Sequence, residues 1–298
     1  MRQVLENASD RLVLVSDDCN VSPPLLARRD HWAPSIFRPE NMLREARRQK
    51  GLSLAPVAPV CILDPDGDIV AHVRQHYAAK PSAHWACYHT RMWEWTSDGV
   101  HYGIIGRAVG GSFSVMVAEQ LFASGCQLLI SVASAGQITD VAPPPYYILI
   151  ERALRDEGTS YHYLPPSRYV DADRALVEFA AGSISCAGRR VHRGATWTTD
   201  APFRETAEAI ALRRDEGILT VEMEAAGLYA FAAARGLPVI CLAHVSNQLG
   251  CIEGDFDKGD GNGAFDSIEL VMALALAWQK SGFVIRRTLA GEYGERAE

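Results

Sequence analysis

Two glutamates separated by a single methionine form the most suggestive cluster in the sequence. Glu222, Met223 and Glu224 follow a short apolar run and precede a run of small residues. This pattern predicts a buried strand that passes directly into a helix, with both carboxylates on one side if the strand extends to Glu224. A buried carboxylate is costly without hydrogen-bond donors, so the pair is suited to binding ligand hydroxyl groups. The alternative for Glu222 is a first-turn helix residue favoured by the helix dipole.

A glycine-rich turn at residues 106–112 is the second candidate. Gly110 and Gly111 separate a predicted strand from a predicted helix, and Arg107 lies within the same turn. Exposed backbone N–H groups at a helix N-terminus can receive an anion or a sugar oxygen. The alternative is that these glycines only allow the helix to pack closely on the strand.

A third segment, residues 192–204, combines aromatic side chains with an arginine. Trp197 and Phe203 could cover a flat heterocycle, and Arg204 could contact a carbonyl or a ring nitrogen. The alternative for both aromatic residues is an ordinary place in the core.

The composition narrows the classes of function. The chain has 298 residues, 48% of them hydrophobic and 22% charged, with a net charge of −7, which indicates a globular protein and argues against a nucleic-acid partner. No apolar stretch approaches the roughly 18 residues of a membrane span. Seven scattered cysteines without a C-x-x-C pair favour reduced thiols and a cytoplasmic location. The histidines lack metal-ligand spacing, and residues 253–261 lack the terminal glutamate of a calcium loop, so no metal is expected.

The hydrophobic pattern alternates between strands and helices. Continuous apolar strands separated by helices predict an α/β fold, a single domain with a central mixed sheet flanked by helices on both faces. Strands are predicted at residues 60–63, 100–106, 127–133, 146–152, 191–199, 219–222 and 238–245, and helices at 112–123, 173–181, 205–214, 225–235 and 264–280.

Residues 1–55 form an N-terminal extension rather than a domain. They contain several prolines and one helix-like patch at residues 41–50, and no strand pattern appears before Pro59. We expect this extension to pack on the main body or on a neighbouring subunit, and residues 56–298 to form the catalytic domain.

In order and in spacing, these segments resemble a known enzyme family. The sequence VEMEAAGLY at residues 221–229, the glycine turn, SVASAGQI at 131–138 and the stretch at 156–160 carry the resemblance. Together they are similar to the nucleoside phosphorylase family, which includes hexameric purine nucleoside phosphorylase, uridine phosphorylase and the methylthioadenosine nucleosidases. The likeness extends from about residue 60 to the C-terminal helix, and it implies a phosphorylase/hydrolase-like fold.

The resemblance implies a role for each candidate residue. Glu224 would hold the ribose 2′ and 3′ hydroxyls, with Met223 and Glu222 beside the sugar. Trp197, together with Phe203 and Arg204, would contact the base, whereas Ser134 and Gly110 would face phosphate or the attacking water.

Asn247 stands where purine-specific members of the family have an aspartate. Its amide cannot donate a full proton but can hydrogen-bond a ring nitrogen or a carbonyl. The choice between purine and pyrimidine therefore stays open.

Two other positions depart from the family pattern. Ser131 and Gly67 stand where phosphorylases carry arginines, and phosphate normally needs such cations. Arg107 could compensate, as could Arg91, which resembles a position that reaches into a neighbouring subunit's site. The alternative for both is a surface salt bridge.

The resulting hypothesis is a nucleoside phosphorylase that uses inorganic phosphate as co-substrate, needs no other cofactor and forms a homo-oligomer, a dimer or a hexamer. Two rivals stay open. One is a nucleosidase in which water replaces phosphate, and the other is a catalytically impaired member that only binds a nucleoside or a base.

Overall fold

The computed structural model describes residues 23–27, 29–188, 191–249, 253–256 and 258–282. The expectation for the first 22 residues of the extension lies outside this part of the chain. Within it, ten strands and seven α-helices follow one another along the sequence.

The elements have the following bounds. The strands are β1 (Val60–Asp64), β2 (Lys80–Pro81), β3 (Met92–Ser97), β4 (Val100–Gly106), β5 (Leu128–Gln137), β6 (Tyr146–Asp156), β7 (Tyr169–Asp171), β8 (His192–Thr199), β9 (Ile218–Glu222) and β10 (Val239–Asn247). The helices are α1 (Pro39–Lys50), α2 (Asp68–His76), α3 (Gly111–Ala123), α4 (Arg174–Cys186), α5 (Ala207–Asp215), α6 (Ala225–Arg235) and α7 (Ala264–Ser281).

All ten strands belong to one mixed sheet, ordered β10-β6-β8-β9-β5-β1-β4-β3-β2, with β7 beside β6. Strand β1 runs parallel to β4 and β5, and β10 runs parallel to β5 but antiparallel to β6. Because β10 also pairs with β5, strands β5, β10, β6, β8 and β9 close into a ring. The ends of β5, β9 and β10 consequently meet near Gly136, which is opposite both Val221 and Asn247.

Helices cover both faces of the sheet, as predicted. Alternate residues of β1 point to opposite faces, so Cys61 and Leu63 join the apolar cluster that contains α3 and α6. Val60 and Ile62 join the second cluster, which contains residues of α2, α4 and α7. Strands buried on both faces read as continuous apolar runs, which is why the sequence pattern identified them.

The described part of the N-terminal extension lies against the main body. Leu43 and Ala46 of α1 pack on Ala86, and the Lys50 ammonium donates to the carbonyls of Ala86 and Cys87 at 3.0 and 2.6 Å. The predicted helical patch is therefore a real helix with a buried stripe. Gly51 ends it in the left-handed conformation that favours glycine.

Among the described residues, no helix is both long and apolar enough to cross a bilayer. Nor does this part of the chain contain a group of three His, Cys, Asp or Glu side chains placed to hold a metal ion.

Candidate active site

Glu224 lies in the short junction between β9 and α6, next to the glycine turn that follows β4. Its Oε1 accepts a hydrogen bond of 2.7 Å from the backbone N–H of Gly110, and its side chain is buried. Gly110 has φ of 84° and ψ of 151°, a conformation open only to glycine, and this geometry directs its N–H towards the carboxylate. The glycine turn and the glutamate motif, 114 residues apart, therefore meet at one point.

The electrostatic environment of Glu224 is unfavourable for a charge. Burial and, to a smaller extent, the nearby Glu222 carboxylate together raise the pKa of this carboxyl to about 8. Among the described residues, only two backbone N–H groups donate to it, that of Gly110 and, at 3.3 Å, that of Met223. A carboxylate has about four acceptor positions, so two hydroxyl groups of a ligand could still bind.

Glu222 does not line the site, contrary to the expectation that it contacts the sugar. Its Oε2 accepts from the backbone N–H groups of Glu224 and Ala225, both at 2.7 Å, and so caps the first turn of α6. Its Oε1 accepts from the Thr198 hydroxyl at 2.5 Å. The strand ends at Glu222 rather than at Glu224, so the two carboxylates separate, and Glu222 positions the backbone on which Glu224 stands.

Ser134 and Asn247 lie on the paired strands β5 and β10, close to where the strands end. Asn247 is opposite Gly136, and its Oδ1 accepts from the backbone N–H of Leu249 at 2.9 Å. That bond leaves the Asn247 Nδ2 as a donor; its contacts with Ala135 O and Ser246 Oγ measure 3.5 and 3.3 Å. A donor of this kind can stabilise negative charge on a departing base.

The turn after β1 forms a charged network with Ser134. The Ser134 hydroxyl donates to Asp66 Oδ1 at 2.9 Å, and the Lys258 ammonium donates to Asp66 and Asp68 at 2.9 and 2.8 Å. Asn262 also donates to Asp68, at 3.3 Å. Residues 258–263 are thereby held against the turn after β1, beside the end of β5.

The two candidate arginines differ in position. Arg107 extends over Gly67, where an ideal Cβ would lie 3.3 Å from the Arg107 Nε. Arg91 is exposed just before β3, and no hydrogen bond or ion pair between described residues joins it to this site.

Trp197 is placed differently from the prediction. Its side chain packs against Ile138, Leu154 and Val221, and its Nε1 donates to Asp156 at 2.9 Å. The adjacent Thr198 hydroxyl contacts Glu222, so by strand alternation the indole points to the other side of the sheet. The indole is buried among these residues, and within the described part of the chain it shares no partner with Glu224, so the expectation that Trp197 and Glu224 enclose one cleft is wrong.

Phe203, the second predicted aromatic, lies in the turn after β8. Its side chain is fully exposed, and the neighbouring Arg204 is exposed as well. Of the two predicted aromatic residues, Phe203 is the one free to contact a ligand.

Sequence reasoning missed Asp66 and Lys258 as parts of the site. Asp66 adjoins Gly67, which this reasoning considers only as the place of an absent arginine, and Lys258 is within residues 253–261, which it considers only as a possible calcium loop. Nothing in either local pattern indicates that residues 192 positions apart form an ion pair.

Comparisons with known proteins agree with this architecture. The sequence model of the Phosphorylase superfamily matches residues 59–277. A DeoD-type purine nucleoside phosphorylase from Colwellia psychrerythraea is 27% identical over 156 residues, which cover 52% of this chain and 67% of the relative. A uridine phosphorylase from Thermococcus kodakarensis is 29% identical over 198 residues, which cover 59% of this chain and 68% of the relative.

Solved structures share the fold. An AMP nucleosidase from Bacteroides thetaiotaomicron superposes with a TM-score of 0.65 at 18% identity, covering 82% of this chain and 99% of that structure. A uridine phosphorylase from Vibrio fischeri gives a TM-score of 0.58 at 21% identity, and the superposition covers 74% of this chain and 89% of that structure. The family match spans most of the chain and includes every element of the site described above, so this protein belongs to the phosphorylase superfamily.

Proposed function

We propose that this enzyme cleaves the N-glycosidic bond of a nucleoside with inorganic phosphate, releasing the free base and ribose 1-phosphate. The observation that carries the proposal is the Glu224 carboxyl, which is buried, fixed by the Gly110 N–H and still able to accept hydrogen bonds. Two neighbouring hydroxyl groups of a pentose are suitable donors for those positions.

The chemistry needs a fixed sugar and a stabilised leaving group. The bond between C1′ and the base nitrogen breaks with its electron pair on the base, and positive charge develops on the sugar. An oxygen of HPO4²⁻ bonds to C1′, and the proton of that phosphate passes to the departing base. Glu224, with Met223 beside it, would hold the sugar, and the Asn247 Nδ2 would hydrogen-bond the departing base. The exposed Phe203 ring, with Arg204, would contact the base.

The names of the relatives support this assignment. Similar proteins are named purine nucleoside phosphorylase, uridine phosphorylase and guanosine phosphorylase. They differ in base but share cleavage of a nucleoside, so the proposal covers both base classes.

A second candidate, hydrolysis, is favoured by the contact between Ser134 and Asp66. The Ser134 hydroxyl, expected to face phosphate or the attacking water, donates a hydrogen bond to the Asp66 carboxylate. A carboxylate at this place would repel phosphate and could accept a proton from water. A protein of similar fold is named AMP nucleosidase, which agrees with hydrolysis as the second candidate.

We further propose that the protein is a cytoplasmic homo-oligomer, a dimer or a hexamer, that acts without a metal or an organic cofactor. Unpaired thiols at Cys61, Cys87, Cys126 and Cys241 suit a reducing compartment. Large exposed apolar side chains on the extension, Trp32, Ile36 and Phe37, suit a contact between subunits. Sedimentation of the purified chain would test the assembly.

The experiment that tests the function compares Glu224→Gln with Glu208→Gln, an exposed glutamate on α5. Replacing one carboxyl oxygen of Glu224 by an amide N–H group leaves a ligand hydroxyl without its acceptor, so kcat/KM for base release should fall roughly 10- to 100-fold in Glu224→Gln. The Glu208→Gln control should retain wild-type activity.

Product analysis separates the two candidates. Ribose 1-phosphate formed only when phosphate is present would support phosphorolysis. Free ribose formed at full rate in phosphate-free buffer would support hydrolysis. Absence of base release from a panel of purine and pyrimidine nucleosides would overturn both.

A further inference from the structure

Arg107 has a backbone conformation that arginine rarely adopts. Its φ of 67° lies in the left-handed region, where a residue with a Cβ is disfavoured. Its N–H donates to the carbonyl of Asp64 at 3.0 Å, and the N–H of Gly67 donates to the same oxygen at 3.1 Å. The turns after β4 and β1 are therefore joined at a single acceptor.

The Arg107 side chain uses the space that Gly67 leaves open. A Cβ at Gly67 would lie 3.3 Å from the Arg107 Nε and 3.4 Å from its Cζ. A side chain at position 67 would have to share this space with the guanidinium. Gly67 therefore has no side chain at the place where Arg107 puts its guanidinium, and the two residues fit together for that reason.

The charge on Arg107 is not neutralised by the nearby carboxylates. Within the described residues, its exposed guanidinium has no hydrogen bond or ion pair, although the acidic turn at residues 64–68 is adjacent. Asp66 and Asp68 are bonded to Lys258 instead. Asp64 accepts from the backbone N–H groups of Gly67 and Val70.

Arg107 lies in the same turn as the residue that holds the proposed sugar-binding carboxyl of Glu224. Gly110, three residues further along the same turn, donates to Glu224, and Asp66 beside Gly67 accepts from Ser134. A ligand that reached from Glu224 towards the turn after β1 would meet the guanidinium. Its planar fork is suited to bidentate binding of phosphate oxygens.

We propose that Arg107 is the cation that binds a phosphate group in this site, and that its left-handed backbone is retained for that purpose. The inference rests on the proposed function, because it assumes that a nucleoside occupies the cleft at Glu224. Two sources supply the same chemistry: free inorganic phosphate as acceptor, or a 5′-phosphate on a nucleotide substrate.

The test uses Arg107→Gly, because glycine adopts this backbone conformation without strain and the variant should fold at least as well as the wild type. Arg107→Lys keeps the charge without the fork, and Arg44→Ala removes an exposed arginine of α1 as a control. Loss of charge-assisted hydrogen bonds should raise the relevant KM roughly 10- to 100-fold in Arg107→Gly. We expect a smaller increase in Arg107→Lys and none in Arg44→Ala.

Two kinetic arms identify the source of the phosphate. In the first, phosphate is varied at fixed nucleoside; in the second, a nucleoside 5′-monophosphate is varied in phosphate-free buffer. A raised KM in the first arm alone assigns Arg107 to the acceptor, and a raised KM in the second alone assigns it to the 5′ end. Unchanged KM values in both arms would overturn the inference.

Failure of this inference is distinguishable from failure of the proposed function. If Glu224→Gln lowers kcat/KM for base release as expected while Arg107→Gly changes neither KM, the function stands and the role of Arg107 is wrong. Calorimetric titration with inorganic phosphate tests Arg107 without turnover. Wild type and Arg44→Ala should bind phosphate, and equal binding by Arg107→Gly would contradict the proposal.

Discussion

The two sides of the site are held in place by different forces. On the sugar side, which we define as Met223, Glu224 and Gly110, the contacts are backbone N–H groups that donate to one buried carboxyl. On the acceptor side, defined as Asp66, Lys258, Ser134 and Arg107, the contacts are between charged and hydroxyl side chains from distant segments. Backbone donors are fixed by secondary structure, whereas side-chain ion pairs can be replaced one residue at a time. We therefore expect single substitutions to alter the acceptor side more easily than the sugar side.

The sharpest test of this comparison is Glu222→Gln, for which we expect the largest loss of stability. The Glu222 carboxylate accepts from two backbone N–H groups and from Thr198, and an amide would place N–H groups against some of those donors. We expect the free energy of unfolding to fall by about 2–4 kcal/mol, measured by urea denaturation.

Glu224→Gln is the matched control for that variant. Burial favours the neutral form of both glutamates, but Glu224 accepts only two backbone hydrogen bonds among the described residues, one of them at 3.3 Å, so its replacement by an amide should cost less stability. Equal losses of stability in the two variants would contradict the division between a positioning glutamate and a ligand-binding one.

Some elements of the fold could be predicted from the sequence, and others could not. Helix α6 and strand β4 have the predicted bounds, and the junction at Glu224 was predicted from a local pattern of apolar, acidic and small residues. By comparison, α2 was not predicted, because its polar stretch around His72 and Arg74 resembles a solvated loop.

Trp197 shows why site residues are harder to predict than elements. Its strand was predicted, but which face it presents depends on the register with β9, where Trp197 lies opposite Val221 and Thr198 opposite Glu222. A shift by one residue would move every side chain to the other face. The sequence contains the aromatic ring but no local signal for that register.

The pH dependence of stability is the second test, and it isolates Glu224 only as a difference between wild type and Glu224→Gln, because Asp64 and Glu205, whose burial raises their pKa values to about 7, titrate in both proteins. The pKa of Glu224 is about 8 in the folded state against an ordinary value of 4.5, so between these values the folded state holds a proton that the unfolded state has lost. The contribution of Glu224 to stability should therefore fall as pH rises from 4.5 to 8, by at most about 1.4 kcal/mol per pH unit, and level off above pH 8.

Urea midpoints measured across that pH range would check the expectation. The Glu224→Gln variant lacks the titrating group and should show a flatter profile than the wild type. A profile of identical slope in both proteins would show that Glu224 is not held in its neutral form.

The smallest expected effect is that of Lys258→Ala on the acceptor side. The substitution leaves Asp66 and Asp68 without their shared cation, so the electrostatic potential near the Arg107 guanidinium becomes more negative. Because this ion pair is partly exposed, we expect only a two- to fivefold increase, on the order of 1 kcal/mol or less, in KM for phosphate. Initial rates at varied phosphate would measure it, and Lys258→Arg should restore the wild-type value. An unchanged KM would mean that Lys258 only fastens residues 258–263 to the turn after β1, whereas a lower KM would show that its ion pairs compete with the bound anion.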